Sequence, residues 1–472
     1  MAKQPSKKMK ALLVGIQTGP TSDAEHARSM AELARLVDTL GMQVVHVMSQ
    51  KLKTTNGSSL VGPGKLLEIA KWSGGTGVVE IETHQKISKA RLKQAAEFEE
   101  FNPTIDSDED ELEDETPSLD QNGSPGGPKP QPVDFVIFDS EMTPTQNRNL
   151  QQALECEVLD RTGVIVEIFH RHAQSPAARA QVEIARLTYL TPRIRATGGG
   201  DRQGGGIGAK GAGETKHELD KRRIRDRIAE LKATLEVTHK ENALRRSRRR
   251  NNLKVALVGY TNAGKSSLMR ALTGSEVLVA DKLFATLDTT VRALQPETKP
   301  KIIATDTVGF IQKLPHELVA SFKSTLDEAM DASLLLYVVD ASDPAFRDQL
   351  KTTVDVLTEI EAHLVPHILI LNKSDRLSTS EKKELTAEFP QGVLLSTRDQ
   401  ESVLALRNQL VRHFEKGMDT FKIHIPYTKA AALSEIHSVM QVTAETHGDE
   451  GTTIQAKGFS ADFERIKKSF KL

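Results

Sequence analysis

Short apolar runs alternate with segments of helical spacing in the first third of the chain. Four runs have the length of buried strands, at residues 11–16, 44–48, 78–81 and 134–138. Between the first two, residues 24–40 place apolar side chains three and four positions apart and end before Gly41, which predicts a helix. Alternation of strands with helices predicts a parallel sheet that is covered by helices.

A pair of long helical segments follows. Residues 178–190 and 214–250 have helical apolar spacing, and the second carries a stripe at Ile224, Ile228, Leu231 and Leu235. Residues 198–213 between them contain nine glycines, so we predict an antiparallel hairpin with a glycine-rich tip. Composition leaves two interpretations open, because the tip is either a linker or a loop that approaches phosphates. The cationic residues in and beside it are Arg202, Lys210 and Lys216.

The second half repeats the alternation and ends in a smaller pattern. Five apolar runs, at 254–258, 302–304, 334–339, 367–371 and 393–395, predict the strands of a second parallel sheet. Strand-like runs at 421–425 and 453–456, with a basic helix near 466–472, predict a small α/β appendage.

Charge is unevenly distributed although the net charge is −1. Residues 102–132 hold nine acidic residues and one lysine, a composition that cannot bury enough apolar surface to order itself, so we predict a disordered insertion. Residues 193–250 hold 17 Lys or Arg residues, including the run from Arg245 to Arg250. That run is either a solvated helix end or a contact surface for RNA phosphates.

Several classes of protein are excluded by composition. No apolar run approaches the roughly 18–20 residues that cross a bilayer, and the N-terminus lacks the apolar stretch of a signal peptide. The single cysteine, Cys156, excludes an intramolecular disulfide and a cysteine-based zinc cage. These features predict a cytoplasmic protein with no membrane partner.

A phosphate-binding loop follows the run at 254–258. It reads GYTNAGKS and passes directly into a helical segment, which is the strand–loop–helix context that a Walker A motif requires. We expect Lys265 to donate to β- and γ-phosphate oxygens and the Ser266 hydroxyl to ligate Mg²⁺. The candidate nucleotide-binding residues of the loop are Gly259, Tyr260, Thr261, Asn262, Ala263, Gly264, Lys265, Ser266 and Ser267.

A second phosphate motif, Asp306-Thr307-Val308-Gly309, begins 41 residues after Lys265. We expect Asp306 to hold magnesium through water and the Gly309 amide to bond a γ-phosphate. Where many GTPases place a water-orienting glutamine, this chain has Phe310. We therefore expect slow intrinsic hydrolysis, and the alternative that Phe310 only packs beneath the loop is compatible with this expectation.

A base-reading motif, Asn372-Lys373-Ser374-Asp375, follows the run at 367–371. The Asp375 carboxylate can accept from guanine N1–H and N2–H₂, whereas adenine offers no such pair of donors, so we predict guanine. The stem of Lys373 is expected to lie over the base, and Ser396 and Thr397 occupy the place of the fifth GTPase loop. Magnesium also needs a switch I threonine, and the residues alone do not choose among Thr286, Thr289 and Thr290.

These motifs together resemble the HflX family of translation-associated GTPases. The resemblance lies in the Asn262-Ala263 pair of the P-loop, in the string DTVGFIQKLPHELVASFKSTLDE at 306–328 and in FATLD at 284–288. Residues 160–193 and 208–228 are similar to the family's N-terminal domain and glycine-rich hairpin. The resemblance implies Thr286 as the switch I threonine, and Lys265, Gly309 and Thr286 as the catalytic set. Thr289 stands where the family usually has proline.

The resemblance also implies a ribosomal role. The family binds the large ribosomal subunit, brings its hairpin loop near the peptidyl-transferase region, and dissociates or rescues stalled ribosomes under stress. By this likeness a monomeric, Mg²⁺-dependent GTPase stimulated by ribosomes is expected, with rRNA phosphates contacted by basic side chains. Those candidates are Arg202, Lys210, Lys216, Arg245, Arg246, Arg248, Arg249 and Arg250. The alternative is a GTP-gated ribosome- or RNA-binding module, an assembly or dormancy factor in which turnover is incidental.

The predicted fold class is α/β, and the length of 472 residues implies several domains. We expect an N-terminal parallel α/β domain with a helical hairpin, a doubly wound P-loop GTPase domain and a small C-terminal α/β domain. The predicted boundaries are 1–196 with the first hairpin helix, 197–250 with the glycine-rich loop and basic helix, 251–416, and 417–472.

Overall fold

The computed structural model describes residues 8–53, 57–79, 130–193, 216–247, 253–274, 283–284, 290–307, 309–312 and 329–472. They divide into two compact units. The first comprises Met1–His26 and Gln43–Val158, and the second Ala27–Met42 and Leu159–Leu472. No helix in this described part of the chain combines the length and the apolar character needed to cross a bilayer.

The first unit contains a four-stranded sheet in the order β2-β1-β3-β4. Its strands are β1 (Lys10–Thr18), β2 (Gln43–Leu52), β3 (Phe135–Phe138) and β4 (Glu157–Asp160), whose last residues cross into the second unit. Strand β1 pairs in parallel with both β2 and β3. Almost every residue of β1 is buried, as expected for a central strand whose two faces are both covered.

Helices α1 (Asp23–Thr39), α2 (Pro63–Ser73) and α3 (Pro144–Leu154) connect these strands, and α1 passes from the first unit into the second. The predicted parallel α/β sheet is thereby confirmed. The strand predicted at 78–81 is wrong over its described residues, Val78 and Val79. Gly77 turns the chain there with a φ of +68°, and its amide bonds the carbonyl of Ala153 rather than a neighbouring strand.

The second unit begins with the predicted helical segments. The predicted segments are α5 (Pro176–Leu190) and α6 (Lys216–Ser247), and they are preceded by α4 (Arg161–His172), which the apolar spacing did not predict. Helices α5 and α6 are joined by an ion pair of 3.0 Å between Glu183 and Arg227. The apolar stripe of α6 is confirmed, because Leu231 is buried and Ile224, Ile228 and Leu235 are half-buried. The glycine-rich tip at 198–213 and most of the acidic insertion lie outside the described residues.

A six-stranded sheet follows in the order β10-β9-β8-β5-β7-β6. Its strands are β5 (Leu253–Val258), β6 (Thr290–Ala293), β7 (Ile302–Asp306), β8 (Leu334–Asp340), β9 (His367–Asn372) and β10 (Val393–Leu394). All neighbours pair in parallel except β6, which runs antiparallel to β7 and which the apolar pattern missed.

The described residues beside this sheet include the helices α7 (Lys265–Thr273), α8 (Phe346–Glu359), α9 (Thr379–Glu388) and α10 (Gln400–Glu415). Two separate buried clusters draw on alternating residues of β5, with Val255 and Leu257 in one and Ala256 and Val258 in the other. The sheet therefore has a hydrophobic core on each face, as the predicted doubly wound fold requires.

The chain ends in a three-stranded antiparallel sheet in the order β11-β13-β12 with two helices. These elements are β11 (Asp419–Pro426), α11 (Ala430–Val439), β12 (Gln441–His447), β13 (Gly451–Gly458) and α12 (Ser460–Phe470). The predicted small α/β appendage is confirmed. Its strand β12 was missed because nearly all of its residues are exposed and give no apolar signal.

Candidate active site

The P-loop connects the end of β5 to the start of α7 at the carboxyl edge of the central sheet. Two of its glycines have a backbone that requires them, since φ is +148° at Gly259 and +96° at Gly264. A Cβ at Gly259 would lie 2.1 Å from the carbonyl oxygen of Val338, and one at Gly264 would lie 2.2 Å from Nδ2 of Asn372. The loop is thus pressed against β8 and β9, and the N-terminus of α7 opens into it.

Lys265 is buried at the first position of α7. Its Nζ donates to the carbonyl oxygens of Gly259 at 2.9 Å and Tyr260 at 2.8 Å. Burial lowers the pKa of the Lys265 ammonium to about 8, and the nearby Asp306 charge opposes this shift. Both of these acceptors are neutral carbonyls, so the ammonium gains a stronger partner when phosphate oxygens enter the loop.

Asp306 ends β7 beside the P-loop. The Ser266 hydroxyl donates to its Oδ2 at 2.7 Å, and its Oδ1 is buried without a hydrogen-bond partner among the described residues. Burial raises the pKa of this carboxyl, while the Lys265 charge and the Ser266 hydrogen bond act in the opposite direction. A hydroxyl and an incompletely paired carboxylate oxygen fit the oxygen ligands and bound waters that Mg²⁺ prefers.

The motif at 306–309 lies against the P-loop. The Thr307 hydroxyl donates to the carbonyl of Leu257 at 2.7 Å, which turns that side chain into the sheet. A Cβ at Gly309 would lie 3.0 Å from Lys265 Nζ and 2.8 Å from Thr261 Cγ2, so only glycine brings this backbone so close. Gly309 therefore lies beside the lysine that is expected to bind phosphate.

Phe310 is 2% exposed and packs in the hydrophobic core on one face of the sheet. Its amide bonds the carbonyl of Gly259 at 3.1 Å, and its carbonyl accepts from the amide of Thr261 at 2.8 Å. The structure thus shows the packing role of Phe310 that the sequence left open. The ring is directed into the core, where it cannot orient water.

The base-reading motif lies at the ends of β9 and β10. Asn372 Nδ2 donates to the carbonyl of Ala263 at 2.8 Å, and Lys373 Nζ donates to the carbonyl of Asn262 at 2.9 Å. Both side chains fasten the motif to the P-loop. The Ser396 hydroxyl donates to Asp375 Oδ1 at 2.7 Å, and this bond lowers the pKa of the Asp375 carboxyl. Asp375 is therefore held ionised and oriented.

The structure brings these predicted residues together and leaves others outside what it describes. Lys265, Ser266, Asp306 and Gly309 converge at the P-loop, while Ser267 and Thr397 are half-buried beside their motifs. Thr286 and Val308 lie outside the described residues, as do Arg202, Lys210, Arg248, Arg249 and Arg250. Lys216, Arg245 and Arg246 belong to α6, but their side chains are outside the described set.

Two contacts of the site were missed by the sequence. Asp340, at the end of β8, pairs with Lys373 at 2.7 Å, and its position at the carboxyl end of a strand is a signal that could have been used. Glu32, on α1, bonds the Tyr260 hydroxyl across 228 positions of sequence. No sequence pattern marks that contact, because helix α1 reads only as an amphipathic helix.

Three known families match successive parts of the chain between residues 27 and 373. Residues 27–99 and 129–170 match a family described as "GTP-binding GTPase N-terminal", and 172–249 match "GTP-binding GTPase Middle Region". Residues 254–373, which contain the P-loop and the first two residues of the base-reading motif, match "50S ribosome-binding GTPase".

Relatives that match most of the chain carry the name GTPase HflX. The protein of that name from Gluconacetobacter diazotrophicus is 50% identical over 97% of this chain and 97% of its own length. That of Caldanaerobacter subterraneus is 34% identical over 98% of this chain and 93% of its own length. The Escherichia coli protein is 37% identical over 71% of this chain and 80% of its own length. With these likenesses and the P-loop geometry, the chain belongs to the HflX family of GTPases.

Proposed function

We propose that this GTPase binds the large ribosomal subunit and that GTP with Mg²⁺ occupies the site assembled by β5, β7, β9 and β10. The observation that carries the nucleotide assignment is the convergence of Lys265, the Ser266–Asp306 pair and the Ser396–Asp375 pair. The ribosomal assignment is supported by the match of residues 254–373 to a family described as ribosome-binding.

Each nucleotide contact follows from the chemistry of the residue. Lys265 exchanges its two carbonyl acceptors for β- and γ-phosphate oxygens and stabilises the charge that develops during transfer. Asp375 accepts from the guanine edge, the stem of Lys373 covers the base, and Asn372 holds both to the P-loop. The backbone of Gly259 to Ser267 wraps the phosphates, while Thr307, Val308, Ser396 and Thr397 complete the lining.

Magnesium, when bound, neutralises phosphate charge and orients the β- and γ-oxygens. Ser266 and Thr286 would ligate it directly, and Asp306 would hold its water shell. The Gly309 amide donates to the γ-phosphate, so that the loops carrying Thr286 and Gly309 are ordered with GTP and released after hydrolysis. Intrinsic turnover is slow, because Phe310 supplies no group to orient water and a partner must do so.

On the ribosome, the glycine-rich tip and the basic helix meet rRNA phosphates. Only 4% of residues are aromatic, which favours recognition by shape and charge over base stacking. The contacts are assigned to Arg202, Lys210 and Lys216 at the tip, and to Arg245, Arg246, Arg248, Arg249 and Arg250 at the helix end. The outcome of the cycle is remodelling or splitting of stalled ribosomes under stress.

The test is GTP turnover at fixed salt with and without purified large ribosomal subunits. Stimulation of about tenfold or more, equivalent to about 1.4 kcal/mol of barrier, is expected. Lys265→Ala should abolish turnover, whereas Lys301→Ala, which removes an exposed ammonium paired to Glu297 at 3.1 Å, should not change it. Intact binding without stimulation would favour a GTP-gated binding module. The absence of both binding and stimulation would contradict the ribosomal role.

A further inference from the structure

The side chain of Tyr260 makes two hydrogen bonds, both with partners outside the P-loop. Its hydroxyl donates to the carboxylate of Glu32 on α1 and accepts from the backbone amide of Gln312 at 2.7 Å. Tyr260 is only 5% exposed, so water does not compete effectively for either bond. P-loops bind phosphates through backbone amides, so this side chain is available for another role.

Among the described residues, three successive hydrogen bonds connect the P-loop to the start of switch II, the segment at 306–328 that begins with the second phosphate motif. The Phe310 amide bonds the Gly259 carbonyl at 3.1 Å, and the Thr261 amide bonds the Phe310 carbonyl at 2.8 Å. The third is the bond from the Gln312 amide to the Tyr260 hydroxyl. The first two use backbone atoms and survive substitution, whereas the third depends on a single hydroxyl group.

Glu32 is itself fixed from the opposite side. The Arg161 guanidinium, at the first position of α4, donates both to the Glu32 carboxylate and to the Ser29 hydroxyl, the latter at 2.9 Å. Arg161 is 1% exposed, so this ion pair is enclosed and its geometry is restricted. Burial, with the Glu32 charge adding to it, raises the pKa of the Tyr260 phenol, which therefore remains protonated and able to donate.

We propose that Tyr260 is a positioning residue for GTP hydrolysis: oriented by Glu32, its hydroxyl holds the start of switch II on the P-loop. Because Gly309 is only three residues before Gln312, this hydrogen bond also helps to keep the Gly309 backbone close to Lys265. Without the hydroxyl, the segment from Gly309 to Gln312 loses one of the three hydrogen bonds described above. The Gly309 amide is then less well placed for the γ-phosphate. This inference rests on the proposed nucleotide site.

The first test is Tyr260→Phe, which removes the hydroxyl and keeps the ring. We expect kcat for GTP to fall about tenfold, the effect of one hydrogen bond that orders the transition state. Affinity for GDP, which lacks the γ-phosphate, should stay within about twofold. The matched control is Tyr189→Phe on α5, which removes a buried hydroxyl that donates to Asp160 at 2.7 Å. We expect kcat of this variant to stay within about twofold of the parent.

The second test is a double-mutant cycle with Glu32→Gln, which keeps a weaker acceptor for the hydroxyl. This change should lower kcat in the parent chain and have no further effect in the Tyr260→Phe background, because the hydroxyl it orients is gone. Equal effects of Glu32→Gln in both backgrounds, an unchanged kcat in Tyr260→Phe, or an equal fall in Tyr189→Phe would each overturn the proposal.

Loss of GDP binding in Tyr260→Phe would also overturn it, since the residue would then be a binding residue. Failure of the nucleotide site itself has a different signature, namely GTP turnover that survives Lys265→Ala.

Discussion

Ser396 fixes the residue that is proposed to read the base. Its hydroxyl donates to Asp375 at 2.7 Å and lowers the pKa of that carboxyl. We expect Ser396→Ala to raise KM for GTP about tenfold, since a hydrogen bond to a charged group contributes roughly 1.5–3 kcal/mol. Steady-state kinetics measure this, with Ser380→Ala, which removes an exposed hydroxyl on α9, as the control. An unchanged KM would show that Asp375 needs no such support.

At Cys156, which is partly buried, burial rather than a hydrogen bond sets the chemistry of the side chain. Burial raises the pKa of its thiol from 9.0 to about 11. At pH 8 the thiolate fraction falls from about a tenth to about a thousandth, so alkylation by iodoacetamide should be about 100-fold slower than in the urea-unfolded chain. Mass spectrometry of the labelled chain measures both rates, and similar rates in the two states would contradict the burial.

At the scale of the element, helix α6 is held by a narrow apolar stripe. Leu231 is its buried member at 7% exposure, whereas Leu219 on the same helix is 40% exposed. Leu231→Ala should cost about 2 kcal/mol of local stability, equivalent to about 30-fold faster hydrogen exchange in α5 and α6. Leu219→Ala should leave exchange nearly unchanged. Equal protection in both variants would mean that the stripe does not hold the hairpin.

At the scale of the whole molecule, charge distribution rather than net charge governs the proposed ribosome contact. Replacing Arg245, Arg246, Arg248, Arg249 and Arg250 by Gln should weaken binding to large subunits. It should also reduce the slope of log affinity against log salt by about 4 if all five contact phosphates. Binding measured across a salt series tests this, with Lys467→Gln/Lys468→Gln on α12 as the control. An unchanged slope would mean that the arginine run is a solvated helix end that does not contact RNA.

The division of the chain into four parts, at 1–196, 197–250, 251–416 and 417–472, stays a prediction at this scale.

The fold class and the motifs of the nucleotide site follow from the sequence alone. Strand and helix periods, the Walker A spacing and the Asp306 and Asp375 motifs are local, because a strand, its following loop and the next helix are contiguous in the chain. They gave the α/β class and the central sheet. Elements that leave no apolar signal, such as the exposed strand β12, could not be found in this way.

Only the tertiary structure decided which side chains support the site. The Glu32–Tyr260 bond joins residues 228 positions apart, and the Asp340–Lys373 pair depends on two strands being neighbours. The burial of Phe310 likewise follows from how the start of switch II pairs with the P-loop. Such contacts arise from the packing of elements rather than from the period of any one of them. A pattern along the chain can name the groups that perform the chemistry, while packing determines what holds those groups in place.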